Sequence, residues 1–211
     1  MTLHLYGLPG STFVWTVRLL LHEKSVDYEI GMKGTDSLFA MQRSPDIERH
    51  PFRKVPIIEH DGRRVFETQA ICRYIDRAFG GPVFTPKDAY DAAVNDQWMG
   101  AIATYLDSAI IRQLVLPIVI GKAQGKPANQ DQVDRATRDA DVPLAAVDRM
   151  LEGKTFLTGE NPVLADFFLW PILFYMKRLP VTARLLKAHS NLEATLKNAM
   201  ARPAFAETIP A

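Results

Sequence analysis

The stretch that most constrains the fold runs from His50 to Tyr74 and reads HPFRKVPIIEHDGRRVFETQAICRY. It contains two short apolar runs separated by His60-Asp61-Gly62, and a turn rich in Asp and Gly between strand-like runs is typical of a β-hairpin. We expect Pro56 to open the first strand, because a proline has no N–H for a sheet ladder. A proline at such a turn is also a candidate for a cis peptide bond.

A helix is predicted directly after this hairpin. Thr68 is a good N-cap, and apolar residues recur on one helical face after it, at Ile71, Cys72, Ile75 and Phe79. A cis bond at Pro56 turns the backbone N–H and C=O of Val55 outward. An exposed strand edge, a helix N-terminus and the carboxylate of Glu67 are therefore expected to lie close together.

Those groups suit a small zwitterionic peptide. The backbone of Val55 offers pairing to an extended peptide, as an added strand would have. The Thr68 hydroxyl and the first N–H groups of its helix favour a carboxylate, and Glu67 favours an ammonium group. An ordinary hairpin followed by a capped helix remains the alternative on these residues alone.

The composition excludes several classes of partner. Among 211 residues, 25 Lys and Arg nearly balance 24 Asp and Glu, and no basic run indicates nucleic acid or an anionic membrane. The N-terminus does not resemble a signal peptide, and no stretch approaches the roughly 20 apolar residues of a membrane span. The single cysteine, Cys72, is predicted to be buried, which agrees with a reducing compartment. We therefore expect a cytoplasmic protein.

The N-terminal region predicts a small mixed sheet. Residues Thr2 to Tyr6 alternate as a strand, a Gly- and Pro-containing loop follows, and a helix runs from Ser11 to about Lys24. A second strand is predicted from Val26 to Ile30, and a short helix from about Ser37 to Arg43. With the hairpin, these elements predict an α/β thioredoxin-like domain with four strands and helices on both faces.

The rest of the chain is predicted to be helical. We expect a first domain over residues 1–80, a Gly- and Pro-rich linker over 81–87 and an all-helical domain over 88–211. Helical periodicity predicts a helix from near Lys87 that kinks or ends at Pro117, then Gln130 to Leu151 with Pro143 inside, Leu164 to Lys177, Ala183 to Lys187, and Leu192 to Met200.

Ser11 is the strongest candidate for a catalytic residue. At the head of a helix, its hydroxyl lies beside free N–H groups and the positive end of the dipole, which stabilises an anion by roughly 0.3 to 2 kcal/mol. A hydrogen bond to a charged partner adds about 1.5 to 3 kcal/mol. Lowering a thiol pKa by two units requires roughly 2.7 kcal/mol, so the two effects suffice for a bound thiol. The alternative is that Ser11 is only an N-cap.

Other chemistries find no support in the sequence. The motifs HExxH, CxxC, GxxxxGK[ST] and GxSxG are absent, and the five histidines show no ligand spacing, so we expect no metal site. Asp166 is expected in the first turn of a buried helix, where it serves folding by bonding backbone N–H groups.

The motifs together resemble the cytosolic glutathione transferases over the whole chain. The likeness rests on Tyr6-Gly7 with Ser11-Thr12, on the run from His50 to Pro56, on Glu67-Thr68-Gln69-Ala70-Ile71 and on Leu164-Ala165-Asp166. It implies a homodimer that binds glutathione as co-substrate, with no metal, and transfers its thiolate to an apolar electrophile, as in detoxification.

The resemblance also implies roles for single residues. Val55 beside a cis Pro56 would hold the cysteinyl backbone, and Glu67 with Thr68 the γ-glutamyl end. Lys54 would lie near the glycyl end or beside Val55. Ser11 matches the serine-type, phi- and theta-like classes.

Further assignments complete the predicted site. Thr12 is the fallback for Ser11, and Phe52 matches an aromatic knob that inserts into a partner subunit, with local packing as the alternative. The second substrate is expected near Leu8, Phe13 and Tyr105, with Phe205 in the C-terminal tail as a further contact.

Several positions depart from the family pattern. Val163 stands where a Ser or Thr usually caps the buried helix, and Thr16 stands where the phi-like pattern has Arg. Met41 and Gln42 replace basic glycyl-binding residues, which leaves Lys54 and Arg43 nearby.

Other functions remain open on the sequence. They are a non-catalytic member that binds ligands or proteins, and a glutathione-dependent peroxidase, dehalogenase or isomerase. A thiol-disulfide reductase would need Cys in place of Ser11.

Overall fold

Four short strands form one mixed sheet in the computed structural model, which describes residues 3–37 and 40–210. They are β1 (Leu3–Tyr6), β2 (Glu29–Gly31), β3 (Ile57–His60) and β4 (Arg63–Phe66). Their order across the sheet is β2-β1-β3-β4, with β1 and β2 parallel and the other neighbouring pairs antiparallel. The predicted mixed sheet is confirmed, although β2 begins later than the predicted start at Val26.

The predicted hairpin turns at Asp61 and Gly62, whose φ angles are 49° and 74°. Two consecutive residues with positive φ give a two-residue turn whose twist matches that of the paired strands. The first strand of the hairpin, β3, begins at Ile57, one residue later than predicted, because Pro56 lacks the N–H that a ladder position uses.

Two helices of the N-terminal region are α1 (Thr12–Glu23) and α2 (Thr68–Ala78). Gly7 connects β1 to α1 with a φ of 153°, and a Cβ there would lie 2.4 Å from a methyl carbon of Val14. Only glycine fits this close approach, which brings the head of α1 next to the end of β1.

The short helix predicted from Ser37 to Arg43 is observed only in part. Single 3₁₀ turns cover Met41–Arg43 and Pro45–Arg49. Leu38 and Phe39, within the predicted helix, lie outside the described residues, as does Thr2 of the predicted first strand.

The second part of the chain is helical, as predicted. A continuous helix comprises α3 (Ala89–Ala101), a π-helical segment (Ile102–Val115) and α4 (Leu116–Ala123), followed by α5 (Gln130–Met150), α6 (Leu164–Arg178), α7 (Pro180–Ala188) and α8 (Ser190–Met200). Pro143 lies inside α5 and Pro171 inside α6, and Pro117 lies inside the continuous helix, which does not end there.

The continuous helix corrects one expectation. By length and composition alone, Ala89–Ala123 could cross a membrane, whereas the sequence was expected to contain no such stretch. The helix packs against α5 and α6 and buries apolar residues there, among them Ile102, Leu106, Ile110 and Leu114, whereas Tyr105 and Val119 are exposed.

The chain divides into two units, one ending at Pro86 and the other running from Lys87 to Ala201. The first unit also includes the residues from Arg202 onward, which form α9 (Pro203–Thr208) and pack against α1. The predicted boundaries did not anticipate this return of the C-terminal residues.

The predicted linker is anchored on the first unit. The ammonium group of Lys24 donates to the Pro82 carbonyl at 2.7 Å and lies 3.5 Å from the Asp76 carboxylate, with both charged side chains buried. Asp76 also accepts hydrogen bonds from the backbone N–H groups of Phe84 and Thr85. A buried carboxylate bonded to a cation and two N–H groups fixes the path of the chain before α3 begins.

Candidate active site

Ser11 stands at the N-cap of α1. Its N–H donates to the Leu8 carbonyl at 3.0 Å, and its own carbonyl accepts from the Trp15 N–H at 2.9 Å. Its half-buried side chain makes no capping hydrogen bond, and no acidic residue stands in the first turn. Ser11 therefore occupies the N-cap position by its backbone, but its side chain does not cap the helix. The hydroxyl is available to a ligand at the positive end of the helix dipole.

Thr12, the fallback for Ser11, is the first residue of α1 and is buried. Its carbonyl accepts a hydrogen bond from the Thr16 hydroxyl at 3.2 Å. Thr16, which replaces the Arg of the phi-like pattern, thus bonds within the helix. The difference in exposure favours Ser11 over Thr12 as the residue that meets a ligand.

The peptide bond between Val55 and Pro56 is cis, as predicted. Neither the N–H nor the C=O of Val55 bonds to any residue in the described parts of the chain. Because a backbone donor and acceptor need partners, this half-buried peptide group is suited to pair with an extended ligand.

The head of α2 differs by one residue from the prediction. Glu67, not Thr68, is the N-cap, and the Glu67 carbonyl accepts the first helical hydrogen bond, from Ile71 N–H. Glu67 has a φ of 69°, a backbone conformation that non-glycine residues rarely adopt. No side chain of the described residues caps α2, so its first N–H groups and the buried Thr68 face a potential anion without competition.

His50 connects Glu67 to the segment before the cis proline. Its Nδ1 accepts a hydrogen bond from the Phe52 N–H at 3.1 Å, so the proton of the neutral ring is on Nε2. That Nε2 lies 3.8 Å from a carboxylate oxygen of Glu67, at ion-pair rather than hydrogen-bond distance. Burial lowers the pKa of His50, which Glu67 opposes and Lys54 reinforces. The sequence predicts no such role for His50, since only the folded chain brings it to Glu67.

Lys54 is an exposed cation of this region, and no hydrogen bond or ion pair joins it to the described residues. The neighbouring Arg53 instead pairs with Glu48 and donates to the Gln42 carbonyl. Gln42, at a position that is basic in the family pattern, donates to the Arg53 carbonyl. Local bonds thus occupy Arg53 and Gln42 and leave Lys54 and the exposed Arg43 for a ligand.

The residues expected near the second substrate are in different environments. Leu8 is buried, Phe13 is half-buried and Tyr105 is 68% exposed. Phe205, in the C-terminal tail, is completely buried against Trp15, with ring centroids 5.1 Å apart, so its side chain has no exposed surface.

Tyr105 lines a cavity of about 510 Å³ inside the helical unit, between the continuous helix and α5. Apolar and aromatic side chains dominate its wall, among them Trp98, Ala101, Val142 and Pro143. Asp139 contributes a carboxylate to the same wall. The cavity is therefore suited to an apolar group accompanied by a positive charge.

Phe52, the predicted dimer contact, is 69% exposed. Its ring lies beside that of His50, and the His50 ring contacts Phe66, which is also exposed. Local packing, the alternative for Phe52, accounts for only a small part of its surface.

Within the described residues, no group of three or more His, Cys, Asp or Glu side chains could hold a metal ion.

Comparisons with known proteins agree over nearly the whole chain. Residues 1–77 match the family model "Glutathione S-transferase, N-terminal domain", and residues 101–203 match "Glutathione S-transferase, C-terminal domain". Glutathione S-transferase F13 of Arabidopsis thaliana is 30% identical over 219 residues, which cover 100% of this chain and 96% of that protein.

Two solved structures are similar at comparable identity. Glutathione transferase F7 from Populus trichocarpa has a TM-score of 0.84 and 26% identity, and the match covers 98% of this chain and 97% of that one. A glutathione S-transferase I bound with lactoylglutathione has a TM-score of 0.83 and 25% identity, again over 98% of this chain and 97% of that one.

Proposed function

The chain belongs to the glutathione S-transferase family, and from this premise we propose how its residues bind and activate glutathione. The enzyme is a transferase in which the glutathione thiolate attacks an electrophilic substrate. The relatives F13 and F7 carry the F designation of the phi class, which agrees with the predicted phi-like assignment.

The tripeptide is held by three groups of the first unit. The free N–H and C=O of Val55, beside the cis Pro56, pair with the cysteinyl backbone of glutathione. Thr68 and the uncapped N–H groups of α2 bind the γ-glutamyl carboxylate, and Glu67 binds the ammonium group. In these contacts, each hydrogen-bond donor of glutathione thus meets an acceptor or a carboxylate of the protein, and each acceptor meets a donor.

The glycyl carboxylate of glutathione is assigned to Lys54. This side chain is exposed and has no ion pair with the described residues, whereas Arg53 is already paired with Glu48. An exposed ion pair contributes less than about 1 kcal/mol, so Lys54 adds orientation more than affinity.

The observation that carries the catalytic proposal is the uncapped Ser11 hydroxyl at the head of α1. It donates a hydrogen bond to the glutathione sulfur, and the helix N-terminus stabilises the same negative charge. The thiol proton leaves to solvent. The sulfur then forms a bond to the electrophilic carbon, and the leaving group departs with its electron pair.

Ultraviolet titration of glutathione bound to the enzyme tests this role. In the wild type we expect the bound thiol to have a pKa near neutrality, and in Ser11→Ala a rise of about one to two units. Thr12→Val is the matched control and should leave the pKa unchanged. A rise in Thr12→Val with no rise in Ser11→Ala would instead assign the hydrogen bond to Thr12.

The second substrate is proposed to be an apolar electrophile that contacts Leu8 and Phe13. Both flank Ser11 in sequence, so they lie on the loop and helix that carry the catalytic hydroxyl. Glutathione and this electrophile are the small-molecule partners.

We assign the cavity at Tyr105 to the partner subunit of a homodimer. The exposed Phe52 is an aromatic ring of suitable size for the mostly apolar wall of this cavity. Both features are present on every copy of the chain, as a two-fold interface requires.

A cytoplasmic location is part of the same proposal. Cys72 is a free, buried cysteine, which agrees with a reducing compartment. Burial raises the pKa of its thiol, so the residue is an inert apolar group rather than a nucleophile.

A further inference from the structure

The C-terminal helix α9 is bonded to α1 at several points. The indole N–H of Trp15 donates to the Thr208 hydroxyl at 2.8 Å, and the Arg18 guanidinium donates to the Thr208 carbonyl at 2.8 Å. At the other end of α9, Arg202 forms a two-pronged ion pair with Glu23, at 2.5 and 2.7 Å. Contacts of this kind fix one helix against another in rotation as well as in distance.

The contact at Thr208 is completely buried. Trp15 and Thr208 have no exposed surface, and neither has Phe205, which packs on the indole ring. The Thr208 hydroxyl uses both of its roles, since it accepts from the indole and donates to the Ala204 carbonyl at 2.7 Å. Removing this hydroxyl leaves the indole N–H buried without its acceptor, which is costly.

Trp15 is also the residue that closes the first turn at Ser11. Its backbone N–H bonds to the Ser11 carbonyl, and residues four apart lie on the same helical face. The rotation of α1 about its axis therefore sets where the Ser11 hydroxyl points. A hydroxyl about 4 Å from the axis moves by about 1 Å for a rotation of about 15°. A misplacement of about 1 Å costs up to roughly 100-fold in rate.

We propose that Thr208 is a positioning residue for the transferase reaction: by bonding the Trp15 indole, it fixes the rotation of α1 and so aims the Ser11 hydroxyl at the glutathione sulfur. This inference rests on the proposed role of Ser11. It assigns the C-terminal segment, nearly 200 residues from Ser11 in sequence, to the catalytic unit. Arg18, about one turn further along α1, also bonds to Thr208 and so restrains the same rotation.

The test is the ultraviolet titration of glutathione bound to full-length variants. Thr208→Val keeps the side-chain shape and removes the acceptor, and Trp15→Phe removes the donor. Each is expected to raise the bound thiol pKa by about 0.5 to 1 unit, with the KM for glutathione within about twofold of wild type and kcat at neutral pH reduced about three- to tenfold. Thr208→Ser should restore wild-type behaviour.

Thr182→Val is the matched control, because Thr182 is an equally buried threonine whose hydroxyl bonds to Met176 and Leu179 inside the helical unit. It should lower the melting temperature without moving the thiol pKa. An unchanged pKa in Thr208→Val, or an equal shift in Thr182→Val, would overturn the proposal. If Thr208→Val does not fold, Trp15→Phe gives the same readout.

The two proposals can fail separately. An unchanged thiol pKa in Ser11→Ala contradicts the role of Ser11 itself. A raised pKa in Ser11→Ala together with an unchanged one in Thr208→Val and Trp15→Phe contradicts only the positioning role.

Discussion

Glu67 and His50 show how the carboxylate that we propose to bind glutathione is held in the fold. Glu67 has a backbone conformation that costs of order 1 to 3 kcal/mol for a non-glycine residue, and its side chain is 65% exposed. Strain of this kind persists where surrounding structure imposes it. The buried imidazole of His50 and the first turn of α2 flank the residue, and both are formed by the same stretch of chain that contains the cis proline.

The protonation of His50 leads to a prediction on pH. Burial lowers its pKa from the ordinary value of about 6.5, so the unfolded chain takes up a proton at higher pH than the folded one. The contribution of neutral His50 to stability is therefore complete above about pH 6.5 and is lost as pH falls through the folded pKa, with a slope of at most about 1.4 kcal/mol per pH unit.

Chemical denaturation of His50→Asn at a series of pH values measures this contribution. Asparagine offers an acceptor for the Phe52 N–H and does not titrate. The free energy of unfolding of this variant should therefore fall less steeply below about pH 6.5 than that of the wild type. Identical slopes in wild type and His50→Asn would exclude the effect.

At the scale of elements, the start of α6 solves the problem raised by Val163. Asp166 accepts from the Val163 N–H at 2.8 Å and from the Leu157 N–H at 3.0 Å. Asn95, on α3, accepts from the Ala165 N–H at 3.0 Å. Three backbone donors of a buried region are thus satisfied without a side-chain hydroxyl at the N-cap, and the predicted folding role of Asp166 agrees with these bonds.

Asp166→Ala is therefore expected to destabilise the protein by about 2 to 4 kcal/mol, because it leaves two buried N–H groups without acceptors. Urea denaturation measures the loss. Asp166→Asn keeps one amide oxygen and should lose roughly half as much. Asp134→Ala, on the exposed surface of α5, should change stability by less than about 0.5 kcal/mol. A similar loss in the Asp134 and Asp166 variants would show that helix charge, not the two buried bonds, is responsible.

At the scale of the whole molecule, the proposed homodimer predicts a loss of association in Phe52→Ala. Burying a phenyl ring contributes about 1.5 to 3 kcal/mol, and a symmetric dimer loses two rings, so the dissociation constant should rise at least about 100-fold. Sedimentation equilibrium measures the change. Val83→Ala, an exposed apolar residue of the same unit, should leave association unchanged.

The partner position is tested by Tyr105→Ala, which should weaken association as Phe52→Ala does. If Tyr105→Ala leaves the dimer intact and raises the KM for an apolar electrophile, the cavity receives the second substrate and the dimer assignment of its wall is wrong.

Much of the fold could be predicted from the sequence because its signals are local. The period-two strand at Leu3, the Asp61-Gly62 turn and the apolar faces of α2 and α6 all arise between residues close along the chain. The observed ends of elements differ from the predicted ones by one to a few residues, as at Thr68 and Val26. Backbone geometry, which the local pattern does not specify, decides at which residue a helix or strand begins.

The candidate site divides in the same way. Ser11, Val55, Pro56 and Glu67 could be proposed from the sequence, since each stands at a turn or helix end that a short motif specifies. The role of His50 beside Glu67 and the burial of Phe205 were not, because their environments consist of residues distant in sequence.

The sequence by itself determined the two-part architecture, the cis proline hairpin and the groups that suit a tripeptide, because proline, glycine and periodic apolar residues restrict the backbone locally. Only the tertiary structure decided that Arg202–Thr208 joins the first unit, that the Trp15 indole meets Thr208, and that Tyr105 faces a cavity. These features depend on burial and hydrogen bonds between segments that meet only when the apolar core closes, and no local pattern encodes which distant partner each side chain will find.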